Sequence, residues 1–423
     1  MDGPLNEPLK LHIRQTRAKF AAMIGVYFAG TLNDNFCRQG VMLLAVAAGL
    51  AHLQSYITVL FAVPFIVFAA HAGYLADRFS KRSVVIGVKL VSLVAYILGA
   101  IGLYLMSWPI IMITVFILGA QSTIFSPAIY GTIPELYPSD YVTTATGVIT
   151  VVSNAAILLG IAGAGLVLDI KGAINDVPLG ICLAAGAGLG VAFITFIISF
   201  FVPKFPAASP KAKFPWQGPV DSVITLAQTR RDPLLASSIF SKAFFWFAGY
   251  LQILIIIPLG LTQFGFTMTM TSVLVVIEFM GIAVGSFLAP IFAKGPRWHR
   301  VLAPALFVMA VAMFVVTLVP YLPLFIHTAV LVGALSILGV AGGVFSIPVT
   351  SFVQVRPAPE FKGRMIAASN LADFVGILLS GMVFYVFDHL HIKPSNCFAI
   401  EALMVMAAAG WLLTAMPKES DNA

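Results

Sequence analysis

Twelve runs of mostly apolar residues, each long enough to cross a bilayer, dominate this chain of 423 residues: 18–50, 54–76, 83–106, 109–131, 141–168, 178–202, 235–260, 268–293, 301–320, 324–348, 363–387 and 396–416. The hydrocarbon core of a membrane takes about 20 such residues as a helix. No water reaches the backbone there, so each segment must satisfy its own N–H and C=O groups, which leaves helices or a closed barrel. Barrel strands alternate apolar and polar residues, and these runs do not. The expected fold is an all-α membrane protein with 12 transmembrane helices, the first of them long and interrupted by polar residues.

Composition agrees. Hydrophobic residues make up 60% of the chain and charged residues 10%, against about 25% charged in soluble domains. A soluble enzyme, a nucleic-acid binder and a disordered protein are excluded. The net charge of +7 is read as a topology signal, because cytoplasmic loops of membrane proteins are rich in Lys and Arg. Nineteen of the 24 basic residues fall on one side: in the N-terminal segment, after the second, eighth and tenth runs, in 203–233, and at Lys418. Only Lys171 and Lys393 fall on the other side, and Arg38, Lys89 and Lys242 lie within runs. Both termini are therefore expected in the cytoplasm. The first apolar run has no small-residue cleavage site after it, so no cleaved signal peptide is expected. Cys37, Cys182 and Cys397 have no metal or redox spacing.

The stretch 203–233, with Pro203, Pro206, Pro210 and Pro215 among lysines, divides the runs six and six. The halves repeat at an offset near 219. Phe28-Ala29-Gly30 recurs as Phe247-Ala248-Gly249, Ile117-Leu118-Gly119 as Ile337-Leu338-Gly339, Phe125-Ser126 as Phe345-Ser346, and Ile157-Leu158-Leu159 as Ile377-Leu378-Leu379. Four matches in register point to duplication, as in transporters built from parallel repeats. The expected organisation is an N-terminal six-helix bundle at 1–202, a cytoplasmic linker at 203–233 and a pseudo-symmetric C-terminal six-helix bundle at 234–423.

The segment Gly73-Tyr74-Leu75-Ala76-Asp77-Arg78-Phe79-Ser80-Lys81-Arg82 resembles the signature of the major facilitator superfamily, with Ser80 where that family usually has a second glycine. The resemblance implies the major facilitator fold and a conformational motif made of Gly73, Asp77, Arg78, Lys81 and Arg82. Gly73 would permit close helix contact. Asp77 would sit at the N-terminus of another helix, that of the eleventh run, in one state of the cycle only. Four further segments resemble the lysophospholipid transporter family: Gly30-Thr31-Leu32-Asn33-Asp34-Asn35, Ser126-Pro127-Ala128-Ile129-Tyr130-Gly131-Thr132-Ile133-Pro134-Glu135-Leu136, Gly342-Gly343-Val344-Phe345-Ser346-Ile347-Pro348 with Gln354, and Gly363-Arg364-Met365-Ile366-Ala367-Ala368-Ser369-Asn370. This second resemblance implies a flippase carrying lyso-phosphatidylethanolamine inward across the bacterial inner membrane. The family usually has lysine where Ile129 stands and often a basic residue near Ile253, groups that the resemblance assigns to the headgroup phosphate. Some members are fused to acyltransferases; here no histidine is followed by aspartate five positions on, so an acyltransferase partner would be a separate protein.

Ionisable groups inside a membrane are costly and mark functional sites by default. Asp34 and Arg38 share a helix face at i, i+4, and two readings stand. They form a self-neutralising pair, or Asp34 with Asn33 and Asn35 meets the ammonium and glycerol of a lipid headgroup while Arg38 forks onto the phosphate. Glu278 pairs with Lys242, titrates as a coupling acid or meets lipid or water. Lys89 snorkels, with Asp373 as its pairing candidate. Gln121, Ser122, Asn154 and Gln252 line the cavity or bond neighbouring helices, and Trp246 packs or walls an acyl chain. Small residues at Gly160, Gly163, Gly165, Gly376 and Gly381 suit close helix crossings.

The expected function is lysophospholipid transport by alternating access. The alternative is a proton-coupled exporter of amphiphilic drugs or other small molecules, and a non-transporting receptor is disfavoured by the polar groups at mid-membrane depth. The expected partners are a lysophospholipid or other amphiphile and the bilayer, without nucleic acid, and the expected working unit is a monomer. No nucleophile, metal or cofactor motif appears, so neither catalysis nor a cofactor is expected.

Overall fold

The computed structural model describes residues 7–211, 214–293, 295–358 and 362–415; Lys213, Lys294 and Lys418 of the basic residues lie outside them. Helices α1 (Glu7–Ala47), α2 (Leu53–Arg78), α3 (Lys81–Tyr104), α4 (Trp108–Leu136), α5 (Ser139–Leu168) and α6 (Leu179–Ser199) are followed by α7 (Gly218–Gln228) and then by α8 (Pro233–Pro258), α9 (Met268–Phe292), α10 (Leu302–Leu318), α11 (His327–Val355), α12 (Lys362–His389) and α13 (Pro394–Ala415). Among the described residues, eleven helical segments are long and apolar enough to cross a membrane. The other long helix, α1, covers the first apolar run; Asn33, Asp34, Asn35 and Arg38 dilute its apolar stretch.

Local chemistry sets the helix ends. Ser80 caps α3, its Oγ accepting from Ser83 N at 3.3 Å. Its backbone is extended at φ −62°, a conformation that needs no glycine, which accounts for serine there. Asp232 accepts from Leu235 N at 3.2 Å and Pro233 opens α8, the usual pairing of cap and first-turn proline. Two small elements lie between the long helices. The linker contains α7, whose Leu226 packs against Leu235, Ile239 and Val353. A two-residue hairpin pairs Ala173–Ile174 with Val177–Pro178, with Asn175 and Asp176 at positive φ, as a tight hairpin turn requires.

The chain divides into two compact units, one of residues 1–41 and 67–218, the other of 42–66 and 219–423. In the first unit, Met23, Val26, Val85, Phe125, Ile129 and Ile133 form a closed apolar core. Ile129 is fully buried there. Gly160 of α5 lies against the α1 backbone, where a Cβ would come 2.5 Å from Leu32 O. In the second unit, Gly376 is equally tight against Ala243 O at 2.5 Å. Gly73 is different. No atom of its own unit lies within 4 Å of where its Cβ would be, so close contact is not its role within that unit.

The tightest crossing joins α9 and α11. A Cβ on Gly285 would stand 2.0 Å from Val340 O, and one on Gly339 would stand 2.1 Å from Glu278 O. Small residues let membrane helices meet backbone to backbone, where van der Waals contact replaces the missing hydrophobic drive. Gly285→Val is therefore expected to lower stability by about 3 kcal/mol, the upper end of overpacking costs. Gly186→Val, where a Cβ meets nothing within 4 Å, is expected to leave it unchanged. Thermal unfolding of the two variants in detergent checks this; equal midpoints would disprove the crossing.

Candidate functional site

The polar turn of α1 is built residue by residue. Helical residues step about 100° around the axis, so Asn33, Asp34 and Asn35 cannot share one direction. Asn33 is 2% exposed and donates Nδ2 to Gly188 O of α6 at 2.8 Å. It ties two helices together and does not line a cavity, contrary to the expectation from sequence. Asn35 donates to Thr31 O at 2.8 Å and accepts from Arg38 Nη2 at 2.8 Å. Arg38 is thus steadied one turn past Asp34.

Asp34 is half-buried and gathers three neutral donors. Tyr96 Oη of α3 donates to Oδ1 at 3.1 Å. Gln121 Nε2 and Ser122 Oγ of α4 donate to Oδ2 at 2.9 and 2.6 Å. Gln121 Nε2 also reaches Ser122 Oγ at 2.8 Å. The Gln121 amide is then spent on one side only, because its buried Oε1 has no donor among the described residues. A buried acceptor without a partner is costly, and a native protein keeps one where something else supplies the donor.

Positive charge comes from α3. Lys89 is 2% exposed and rests its ammonium 3.5 Å from the centroid of the Phe125 ring, a cation–π contact. It lies within Coulombic reach of Asp34. Gly30 makes the space, since a Cβ there would come 2.6 Å from Lys89 Nζ. Lys89 therefore does not snorkel outward. An apolar groove of about 520 Å³ runs along α2, α3 and α4, lined by Leu75, Phe79, Val88, Val91, Phe116 and Ile124, and Gln121 forms part of its wall. Together these groups can hold a cation, an anion and an apolar chain side by side.

The second unit pairs its charges differently from expectation. Lys242 Nζ donates to Asp373 Oδ2 at 2.7 Å, to Ser369 Oγ at 3.2 Å and to Asn370 Oδ1 at 3.3 Å. Asp373 is Lys242's partner, so the expected Lys242–Glu278 pairing does not form. Glu278 is 2% exposed with Oε2 unpartnered. Gln252, also 2% exposed, donates to Glu401 Oε1 at 3.0 Å and so bonds a neighbouring helix. Trp246 is 37% exposed beside Phe245 and Tyr250, and Asn154 is exposed.

In the signature segment, Asp77 and Arg78 are exposed; the Asp77 carbonyl accepts from Ser209 N at 2.8 Å, and Arg78 stands over Tyr74. Lys81 is buried and paired with Glu135 at the end of α4, while Arg82 is half-buried. Sequence reasoning gave no individual role to Tyr96, Glu135 or Glu401. Glu401 carried a signal, being a carboxylate inside an apolar run. Tyr96 carried none, since tyrosines are common in membrane helices.

Known proteins place this arrangement. A model of the Major Facilitator Superfamily matches residues 20–381. Among curated relatives, the lysophospholipid transporter LplT of Enterobacter sp. (strain 638) is 28% identical over 333 residues, covering 77% of each chain. That of Klebsiella pneumoniae (strain 342) is 28% identical over 374 residues, 85% of this chain and 86% of its own. Among solved structures, a D-xylose-proton symporter superposes with a TM-score of 0.71 at 14% identity, covering 97% of this chain and 99% of its own. The inward open xylose transporter XylE from E. coli gives 0.70 at 13%, covering 96% and 98%. A bacterial homolog of the human lysosomal transporter Spinster gives 0.67 at 15%, covering 94% and 95%. With membrane-spanning helices throughout, a polar turn in α1 and a family match over most of its length, the chain belongs to the major facilitator superfamily.

Proposed function

We propose that this protein carries lysophospholipids of the lyso-phosphatidylethanolamine class across the bacterial inner membrane by alternating access, with both termini in the cytoplasm. The observation that carries the reading is the Asp34 cluster, a carboxylate with the orphaned Gln121 Oε1 beside it. An ethanolamine ammonium has three N–H donors and one positive charge, which these two acceptors suit. Lys89, its ammonium over the Phe125 ring, takes the phosphate, and Arg38 adds a planar donor one turn away. The groove beside Gln121 takes the single acyl tail. The relatives named lysophospholipid transporters support the same reading.

Spheroplasts lacking their own activity test it. Cells expressing the chain should accumulate labelled lyso-phosphatidylethanolamine well above the empty-vector control. Tags at both termini should survive protease added outside. Uptake equal to the control, with the protein present in the membrane, would refute the reading.

A further inference from the structure

Helix α7 carries an apolar strip that the rest of the protein leaves uncovered. Val220, Val223 and Ile224 are 53%, 56% and 48% exposed, and Ala227 is exposed as well. Positions i, i+3, i+4 and i+7 share one helix face, so the four residues form a continuous strip. Another side of the helix is anchored, since Leu226 packs into the cluster of Leu235, Ile239 and Val353. That contact fixes the depth of α7. Leu235 and Ile239 lie in the first two turns of α8, a membrane-crossing helix, and only residues 229–232 separate the two helices. The strip is therefore held beside the entry of a span and not out in bulk water. In the first unit, Phe214 meets His71 and Tyr74 near the end of α2, with ring centroids 5.0 and 5.4 Å apart. Trp216, two residues on in the chain, is 85% exposed.

Charge selects what covers the strip. The segment 203–233 carries Lys204, Lys211, Lys213, Arg230 and Arg231 against Asp221 and Asp232, and Asp232 is already bound by Arg356 at 2.8 Å. Arg230 and Arg231, directly after the helix, are exposed. Basic clusters beside an amphipathic helix attract anionic headgroups, tryptophan favours headgroup depth, and a helix of this pattern lies in the plane of the interface. We propose that α7 lies in the headgroup layer of the leaflet on the linker's side, its strip of Val220, Val223, Ile224 and Ala227 turned to the acyl chains, and that this surface selects anionic phospholipid. In the orientation proposed above, that leaflet is the cytoplasmic one. The inference concerns the bilayer and not the cargo, so it stands apart from the lysolipid reading.

Thiol labelling of the full chain in nanodiscs tests it. Cys37, Cys182 and Cys397 are changed to alanine, and Ile224→Cys on the strip is compared with Gln228→Cys on the polar side, using a water-soluble maleimide that reacts only with exposed thiols. With phosphatidylglycerol mixed into phosphatidylcholine, Ile224→Cys should react at least about tenfold more slowly than Gln228→Cys, a factor within reach of a few basic residues at an anionic surface. In phosphatidylcholine alone, or in about 1 M salt, which screens such charges, the gap should narrow. Equal rates at the two positions in both lipids overturn the proposal, and protection that ignores phosphatidylglycerol and salt overturns the anionic selectivity. Protection seen only in discs that hold two copies makes the strip an interface between copies and also overturns it. A second readout keeps all three cysteines. The fluorescence that wild type loses in Trp216→Phe should be emission that brominated phosphatidylglycerol quenches; an unquenched difference spectrum places Trp216 in water and overturns the docking.

Discussion

Asp34→Asn is expected to cut uptake of labelled lyso-phosphatidylethanolamine by about 10- to 100-fold while the protein level in the membrane holds. The estimate follows from chemistry. Asparagine matches aspartate in size and can still accept from Gln121 or Ser122, so the helix contacts at 2.9 and 2.6 Å survive in part. What disappears is the negative charge. A hydrogen bond to a charged group contributes about 1.5–3 kcal/mol, and each 1.4 kcal/mol is about tenfold in affinity. The same change strips Lys89 of its counter-charge, so the loss falls on phosphate and ammonium recognition together. Asp34→Glu, which keeps the charge on a longer arm, should lose less. Uptake by Asp34→Asn within about twofold of wild type, well under that affinity step, would remove Asp34 from the substrate site.

The helices of this fold were legible because a bilayer leaves the backbone one solution for each apolar run. The predicted run 268–293 became α9 at Met268–Phe292, and 178–202 became α6 at Leu179–Ser199. The linker helix α7 was hidden because a short surface helix needs only local packing, supplied here by Leu226 on Leu235, and that contact has no periodic signature. Charges behaved differently from helices. Hydropathy gives the depth of Lys89, Lys242, Glu278 and Asp373 in the membrane but not the direction in which each points around its helix. The expected Lys242–Glu278 pairing failed for that reason, and Lys242 found Asp373 instead. Asn33 failed likewise, since a neighbour in sequence to Asp34 is turned about 100° away on a helix. Asp34 stood out in the sequence because an ionisable group inside an apolar run is costly and rare, and the structure gathers Tyr96, Gln121 and Ser122 around it.

The Lys242–Asp373 pair yields the sharpest stability expectation. The side chains are 13% and 9% exposed and meet at 2.7 Å, with Ser369 and Asn370 completing the ammonium's shell. Asp373 Oδ1 is buried without a partner, so Lys242 is the carboxylate's main support. Lys242→Met keeps the length and apolar stem but leaves that carboxylate alone in a dry interior. Breaking a buried pair from one side costs about 3–5 kcal/mol, because the surviving charge is uncompensated. Asp373→Asn is milder, since the amide is neutral and the lysine retains Ser369 and Asn370. The double change Lys242→Met/Asp373→Leu removes both charges and should recover most of the loss, as buried ion pairs replaced by apolar residues are often neutral or stabilising. Thermal unfolding in detergent ranks the four proteins: wild type and the double variant together at the top, Asp373→Asn below them, Lys242→Met lowest by a wide margin. If Lys242→Met unfolds with wild type, the ammonium is not holding α8 to α12. If the double variant falls as far as Lys242→Met, the loss comes from packing of the lysine stem and not from a stranded charge.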